Sequence, residues 1–363
     1  MTAPFSIFKA FEADDIVVAN AAEVTTGLWS GDTGSLNTMF ISSNQVYSSS
    51  TGDYFVDVYN NSTIDDPDDA EVQFSIAYGH IDGGGYPSLT QDDLSMEPTK
   101  ATYCQYRNIL LDPTDTMFTF TNANGSFNSS DIYVINIKRS RLREKLDPGN
   151  WYLPLIGSFT TLSPGGHITL IDDSGQSLGA DHGKAGRIFN IISGALGGPD
   201  GFVTASAAQQ STSGSYGMVY PDLGIIVLNP TALTQALGNF IAPNTMSIQD
   251  TYPRNYLKLY DAMKHGYNSA SADFQARSAE TISSTHYFVR LRNKEFNYSN
   301  NPTFFNPTNG TLIDRDFIQN PQVYITSVGL YNNSNECVAI GKVSSPLPKS
   351  FSKEVLIRVR LDF

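Results

Sequence analysis

Alternation of apolar and polar positions is clearest at the end of the chain. Over 355–363, Val355, Ile357, Val359, Leu361 and Phe363 alternate with Arg358, Arg360 and Asp362, the two-residue period of a strand with one buried face. Before it, the β-branched and aromatic run 322–331 meets the turn residues 332–336 (NNSNE) and a second apolar run, 337–343, which together predict a hairpin. Similar runs predict strands at 54–59, 72–78 and 117–120, separated by the polar spacers 65–69 and 82–96, with a short helix over 103–111.

The middle of the chain is more mixed. Residues 131–137 read as a strand running into a basic helical turn, 139–146, which Asp147, Pro148 and Gly149 stop before an extended course resumes at 151–155. Strands are expected at 168–171 and 225–228, and the Gly- and Ser-rich stretch 194–217 reads as a surface loop. Helices are expected at 231–240, behind Pro230, and at 255–265, where Tyr256, Leu259, Tyr260 and Met263 share a face. Residues 269–283 are Ala- and Ser-rich and weakly helical, and 287–292 return to strand. No repeat of roughly 20 to 50 residues is visible, which argues against a solenoid or propeller.

These elements predict an α+β protein, predominantly antiparallel β with sandwich-like sheets, a few short helices and a C-terminal strand built into the sheet. The expected divisions are a β-rich region, 1–137, a mixed region with short helices and the Gly/Ser-rich loop, 138–285, and a β region, 286–363, able to pack with the first as one domain.

Several segments carry a resemblance. They are 325–332 (ITSVGLYN), 338–344 (VAIGKVS) with the proline-containing link and Arg-rich final strand that follow, 287–304 (YFVRLRNKEFNYSNNPTF), 138–151 (KRSRLREKLDPGNW) and 77–80 (AYGH). In these the chain resembles virion structural proteins of contractile-tailed bacteriophages. The resemblance implies a non-enzymatic subunit of the virion, assembled in the host cytoplasm and placed in the tail baseplate. Its partners would be other virion proteins, met in multiple copies around a symmetry axis. A neck, tail-completion or capsid-associated subunit, a receptor- or glycan-binding tail protein and a host-surface hydrolase are the alternatives.

Composition narrows the chemistry. Aromatics make up 12% and charged residues 16% of the 363 residues, a balance familiar in β-rich proteins with large contact surfaces. The net charge of −13 disfavours binding to nucleic acid or anionic membranes. No segment reaches the roughly 20 apolar residues needed to span a bilayer, and nothing near Met1 has the pattern of an export signal. Cys104 and Cys337 are expected as reduced core residues.

No catalytic, cofactor-binding or metal-ligating residue is assigned. His80, His167, His182, His265 and His286 lack a metal-ligand spacing, and no GxSxG elbow or nucleophilic cysteine context occurs. Residues 194–199 are glycine-rich without the Lys-Ser/Thr ending of a phosphate loop, and 172–175 and 181–183 read as turns ahead of calcium loops. A pair of carboxylates for glycoside hydrolysis stays open, because Asp and Glu are abundant.

Two groups of interface residues remain. Arg139, Arg141 and Arg143, flanked by Lys138 and Lys145, are the strongest local charge in an acidic chain. They face water or intrachain carboxylates, meet a neighbouring subunit, or, least favoured, bind a phosphate backbone. Phe296, Tyr298, Phe304 and Phe305 sit in an Asn-rich extended loop that would anchor an adjacent chain if exposed and would pack on its own sheet if not. The patterned ending yields a direct expectation: deletion of 355–363 removes a core strand and sharply lowers soluble yield and Tm, whereas a freely fraying tail would leave both unchanged.

Overall fold

The fold is that of a computed structural model, which describes residues 8–42, 55–85, 87–88, 98–157, 159–160, 163–164, 167–175, 181–197, 201–204, 211–244, 248–249, 254–264, 273–299 and 301–362. The chain divides into a larger unit, Val24–Glu280, and a smaller one formed by Met1–Glu23 with Thr281–Phe363. The division expected at 137/138 therefore falls inside the larger unit, and the first residues of the chain group with the C-terminal region. Strands predominate, almost all paired antiparallel, and the helices are few and short.

In chain order the first strands are β1 (Ile16–Gly27, which crosses from the smaller unit), β2 (Phe40–Ile41), β3 (Phe55–Tyr59), β4 (Val72–His80), β5 (Phe118–Asn122), β6 (Gly125–Ser129) and β7 (Asp131–Ile137). The larger unit continues with β8 (Lys145–Leu146), β9 (Leu153–Ile156), β10 (His167–Asp172), β11 (Gly186–Gly197), β12 (Gly201–Thr204), β13 (Gly217–Tyr220) and β14 (Ile225–Leu228). Its helices are α1 (Pro98–Leu110), α2 (Pro230–Leu237) and α3 (Asn255–Lys264).

One sheet dominates this unit, in the order β9-β10-β11-β13-β14-β7-β4-β3-β2, with each neighbouring pair antiparallel. Strand β7 shows why it is covered on both faces: every residue but Asn136 is buried, as the continuous β-branched and aromatic run Ile132–Ile135 requires. Tyr133, Ile135 and Ile137 point to one face with Phe74, Ile76, Ile226 and Leu228, under Leu233 and Leu237 of α2 and Leu257 and Leu259 of α3. Ile132 and Val134 point to the other with Ala77 and Val227, under Tyr103, Tyr106 and Leu110 of α1 and Phe118 and Phe120 of β5. Each such side chain contributes about 1.5–3 kcal/mol on leaving water.

Local chemistry sets the element ends. The Asn229 side chain accepts from the N–H groups of Thr231 (3.1 Å) and Ala232 (3.3 Å), capping α2 ahead of Pro230. Its amide also donates to the carbonyls of Ser213 and Ser215, tying the 211–216 segment to the helix start. Trp151 donates its indole N–H to Asp172, which also accepts from the Gly149 N–H and from both the backbone and hydroxyl of Ser174. Glycine at 79 is a matter of space, because a Cβ there would lie 2.8 Å from the Tyr103 nitrogen and 2.9 Å from its Cα.

The smaller unit holds β15 (Arg277–Leu291, which begins in the larger unit), a short helix α4 (Asp316–Gln319), β16 (Val323–Tyr331), β17 (Cys337–Lys349) and β18 (Val355–Asp362). Strand β18 pairs antiparallel with β15 from Ser284 opposite Asp362 to Leu291 opposite Val355, so the final strand is part of a sheet. Strands β16 and β17 form the expected hairpin, closed by Asn332 donating to the Glu336 carbonyl and by Asn335 at φ 61°.

Four expectations are corrected. The stretch 194–217 is not simply loop: β11 runs to Gly197 and pairs with β12, a backbone pairing that glycines permit but do not announce. Arg277–Ser283, within the 269–283 segment expected to be weakly helical, belongs to strand β15, because pairing with Lys145 and Leu146 at one end of that strand and β18 at the other overrides local propensity. The helical turn at 139–146 shortens to a 3-10 turn, Arg139–Arg141, before β8. Cys337 is exposed and Cys104 half-buried, both free thiols, so neither is a core residue. Residues 89–97, 205–210 and 265–272, on which parts of the loop and helix expectations fall, lie outside the described residues. No helix among the described residues is long and apolar enough to cross a membrane.

The close approach at Gly79 generates a test. Gly79→Ala forces α1 away from β4 and is expected to cost about 1–3 kcal/mol in urea unfolding, whereas Ile109→Ala on the exposed side of α1 stays within about 0.5 kcal/mol. Equal effects would contradict the tight sheet-to-helix packing.

Candidate functional site

The seven residues singled out in the sequence fall into two groups, one in each unit. Arg139, Arg141 and Arg143 occupy the turn after β7 in the larger unit, and each has an intrachain acceptor. Arg139 donates to the Leu142 carbonyl at 3.1 Å. Arg141 forms an ion pair with Glu71, and Arg143 one with Glu280 at 3.1 Å. A hydrogen bond from the Ser30 hydroxyl, and then the Arg141 guanidinium, hold Glu71 below the ordinary carboxylate range against the opposing effect of burial. Two of the three arginines are thus paired with carboxylates of their own chain, and exposed pairs of this kind add little stability.

The second group is built around a buried cation. Lys349 is 0% exposed, and its ammonium donates to the Asn293 carbonyl (2.9 Å), the Asn297 side-chain oxygen (2.9 Å) and the Ser350 carbonyl (3.1 Å). All three of its N–H groups are therefore used. Burial pushes its pKa down, and the carboxylates of Glu295 and Glu354 pull it partly back. The loop it holds is further closed by Glu295, which accepts from the Arg292 N–H (2.9 Å) and pairs with Lys9 (3.2 Å). Phe296, between Glu295 and Asn297, sits at φ 49°, a left-handed conformation unusual for a bulky residue.

This clamp fixes what the aromatic loop displays. Phe296 and Tyr298 are 41% and 54% exposed. Phe304 is buried, its ring 4.8 Å from that of Phe317 and 5.3 Å from that of Tyr298. Phe305 is half-buried, with its ring 5.5 Å from the same tyrosine. The four do not act alike: Phe304 and Phe305 fold back, and the outer edge belongs to Phe296 and Tyr298.

A buried polar cluster lies at the 77–80 segment. Asp131, opposite His80 in the β4–β7 register, accepts from the Tyr78 hydroxyl at 3.3 Å. Burial raises the pKa of Asp131 above the usual carboxylate range, with His80 and the Tyr78 hydrogen bond opposing, and burial likewise raises the Tyr78 hydroxyl. The His80 Nδ1 accepts from the N–H groups of Asp82 (3.1 Å) and Gly84 (3.2 Å), which makes the ring part of the loop's own structure. Among the described residues no group of His, Cys, Asp and Glu is arranged to hold a metal ion.

No family model, curated protein or solved structure matches the chain. Sequence reasoning missed Lys349: a single lysine beside Pro348 carries no pattern, and only the hairpin brings it to residues 293 and 297. Lys349→Met is expected to leave the Asn297 side-chain oxygen without its donor, while the Asn293 and Ser350 carbonyls keep the Asn297 amide and the Lys353 N–H, and to destabilise the smaller unit by about 1–3 kcal/mol, seen as accelerated limited proteolysis within 292–305. Unchanged proteolysis would remove the clamp from the account.

Proposed function

We propose that the chain is a non-enzymatic structural subunit of a phage virion, working through protein–protein contacts made chiefly by its smaller unit. The observation that carries this reading is an imbalance of apolar surface. Among the described residues, fourteen of the twenty exposed large hydrophobic side chains lie in the smaller unit, which has under a third of the chain. Among the described residues the same unit buries only five hydrophobic side chains: Leu291, Phe304, Val323, Leu330 and Ile357. A fold with so little core and so much outward apolar surface gains stability by being covered.

The exposure of Val338 and Ile340 of β17, 65% and 71%, and of Tyr324 of β16 supports the hairpin as the principal contact. Charge favours the same unit. It holds ten Lys and Arg against ten Asp and Glu, so the larger unit carries the whole net charge of −13. Copies meeting through larger units would repel one another, and contacts through the neutral unit avoid that cost. The segments resembling virion structural proteins of contractile-tailed phages, several of them in the smaller unit, support a place in the tail baseplate, with multiple copies around a symmetry axis.

Mass spectrometry of purified virions tests the reading: the chain is expected at a fixed stoichiometry, and its absence would overturn it. Ile340→Asp is expected to leave the isolated chain's stability within about 0.5 kcal/mol while abolishing incorporation into particles. Normal incorporation would exclude the hairpin as the contact.

A further inference from the structure

Lys349 and Asn297 are placed for a reaction as well as for a hydrogen bond. The Lys349 side chain is fully buried, and its Nζ lies 2.9 Å from the carboxamide oxygen of Asn297. With a C=O bond of about 1.2 Å, such a contact leaves the nitrogen roughly 3–4 Å from the carboxamide carbon, close to the separation from which an amine attacks. The carboxamide is also held from its other end, because its NH2 group donates to the Asn293 carbonyl at 2.7 Å. That carbonyl accepts from Lys349 at 2.9 Å as well, so one backbone oxygen holds both groups.

The surroundings favour the reactive form of the lysine. Burial disfavours the charged ammonium and pushes its pKa down, which brings the free amine, the nucleophilic form, within easier reach. A proton acceptor stands beside it. The carboxylates of Glu295 and Glu354 both act on this ammonium, Glu295 the more strongly. Glu295 lies two residues before Asn297, and its carboxylate is held by the Arg292 N–H at 2.9 Å and the Lys9 ammonium at 3.2 Å.

We propose that Lys349 and Asn297 join in a covalent amide bond, an isopeptide cross-link, once the smaller unit has folded. The Lys349 ammonium gives a proton to Glu295, and the free amine forms a bond from Nζ to the Asn297 carboxamide carbon. A second proton moves from Nζ to the original amide nitrogen, the bond from that nitrogen to the carbon breaks, and the carbonyl re-forms. The ammonia released takes the proton back from Glu295 and leaves as ammonium. Nothing is oxidised or reduced, and no further reactant is consumed. The bond ties the end of β17 to the loop after β15 across 52 residues of chain, a covalent staple for a unit with few buried hydrophobic side chains. The inference rests on the geometry of the clamp and not on the virion reading.

The test is mass spectrometry of the purified full chain. Its intact mass is expected to fall short of the sequence mass by one ammonia, and trypsin is expected to release one branched peptide joining Glu295–Arg315 to Val343–Lys353, uncut after Lys349. Lys349→Arg, which keeps the positive charge without the reactive amine, is expected to show the full mass and two separate peptides. Glu295→Gln, whose side chain can still accept from the Arg292 N–H, is expected to slow bond formation about a hundredfold and to leave most of the freshly purified chain unlinked. An equally linked Glu295→Gln would overturn the part given to Glu295. The natural chain at its full mass would overturn the cross-link. So would a chain lighter by one ammonia whose two peptides stay separate, as cyclisation of a lone asparagine would give.

Discussion

Strand β7 must be buried on both faces, and most of the larger unit is arranged to meet that constraint. Its sequence offers no polar face, so the sheet can exist only with a layer on either side. Helices α2 and α3 supply one layer, and α1 with the β5–β6 hairpin supplies the other. The polar groups drawn into these layers are held by named partners: Tyr103 donates to the Ser129 carbonyl at 2.8 Å and accepts from the Phe118 N–H at 3.1 Å, and Tyr133 donates to the Ile241 carbonyl at 2.9 Å. Each is a case in which a buried polar atom is affordable because its hydrogen bond survives burial.

The smaller unit solves the same problem differently. Its hairpin alternates as a half-buried ribbon should, yet much of its apolar side-chain surface faces outward. A two-stranded ribbon is marginal by itself, so what orders this region locally is polar: the Lys349 ammonium gathering three oxygens, and the Glu295 carboxylate closing the turn before it. A locally ordered loop with apolar neighbours left uncovered is the surface that the proposed association would use.

Strongly patterned segments were legible in the sequence. The strands at 72–78, 131–137, 225–228 and 355–362 and the helix behind Pro230 are present because local propensity, period and burial agree there. Arg277–Ser283 and the Gly194–Gly197 end of β11 were not legible: the first is strand because of partners far away in the chain, and the second pairs with the neighbouring β12 through backbone that its glycines do not signal. The candidate interface shows the same limit. The basic run was visible as charge, but the pairing of two of its arginines with Glu71 and Glu280, 70 and 137 residues away, depends on topology. The aromatic loop was visible as composition, but which rings turn inward was decided by the Phe317 and Lys349 contacts.

The central claim is that the uncovered face of the smaller unit is a contact surface, and amide hydrogen exchange compared between the free chain and the chain within its assembled particle tests it most directly. The account predicts that β16 and β17 become strongly protected on assembly while β4 and β7, already closed on both faces, exchange slowly in both states. Hairpin exchange that is as fast in the particle as in the free chain would contradict it.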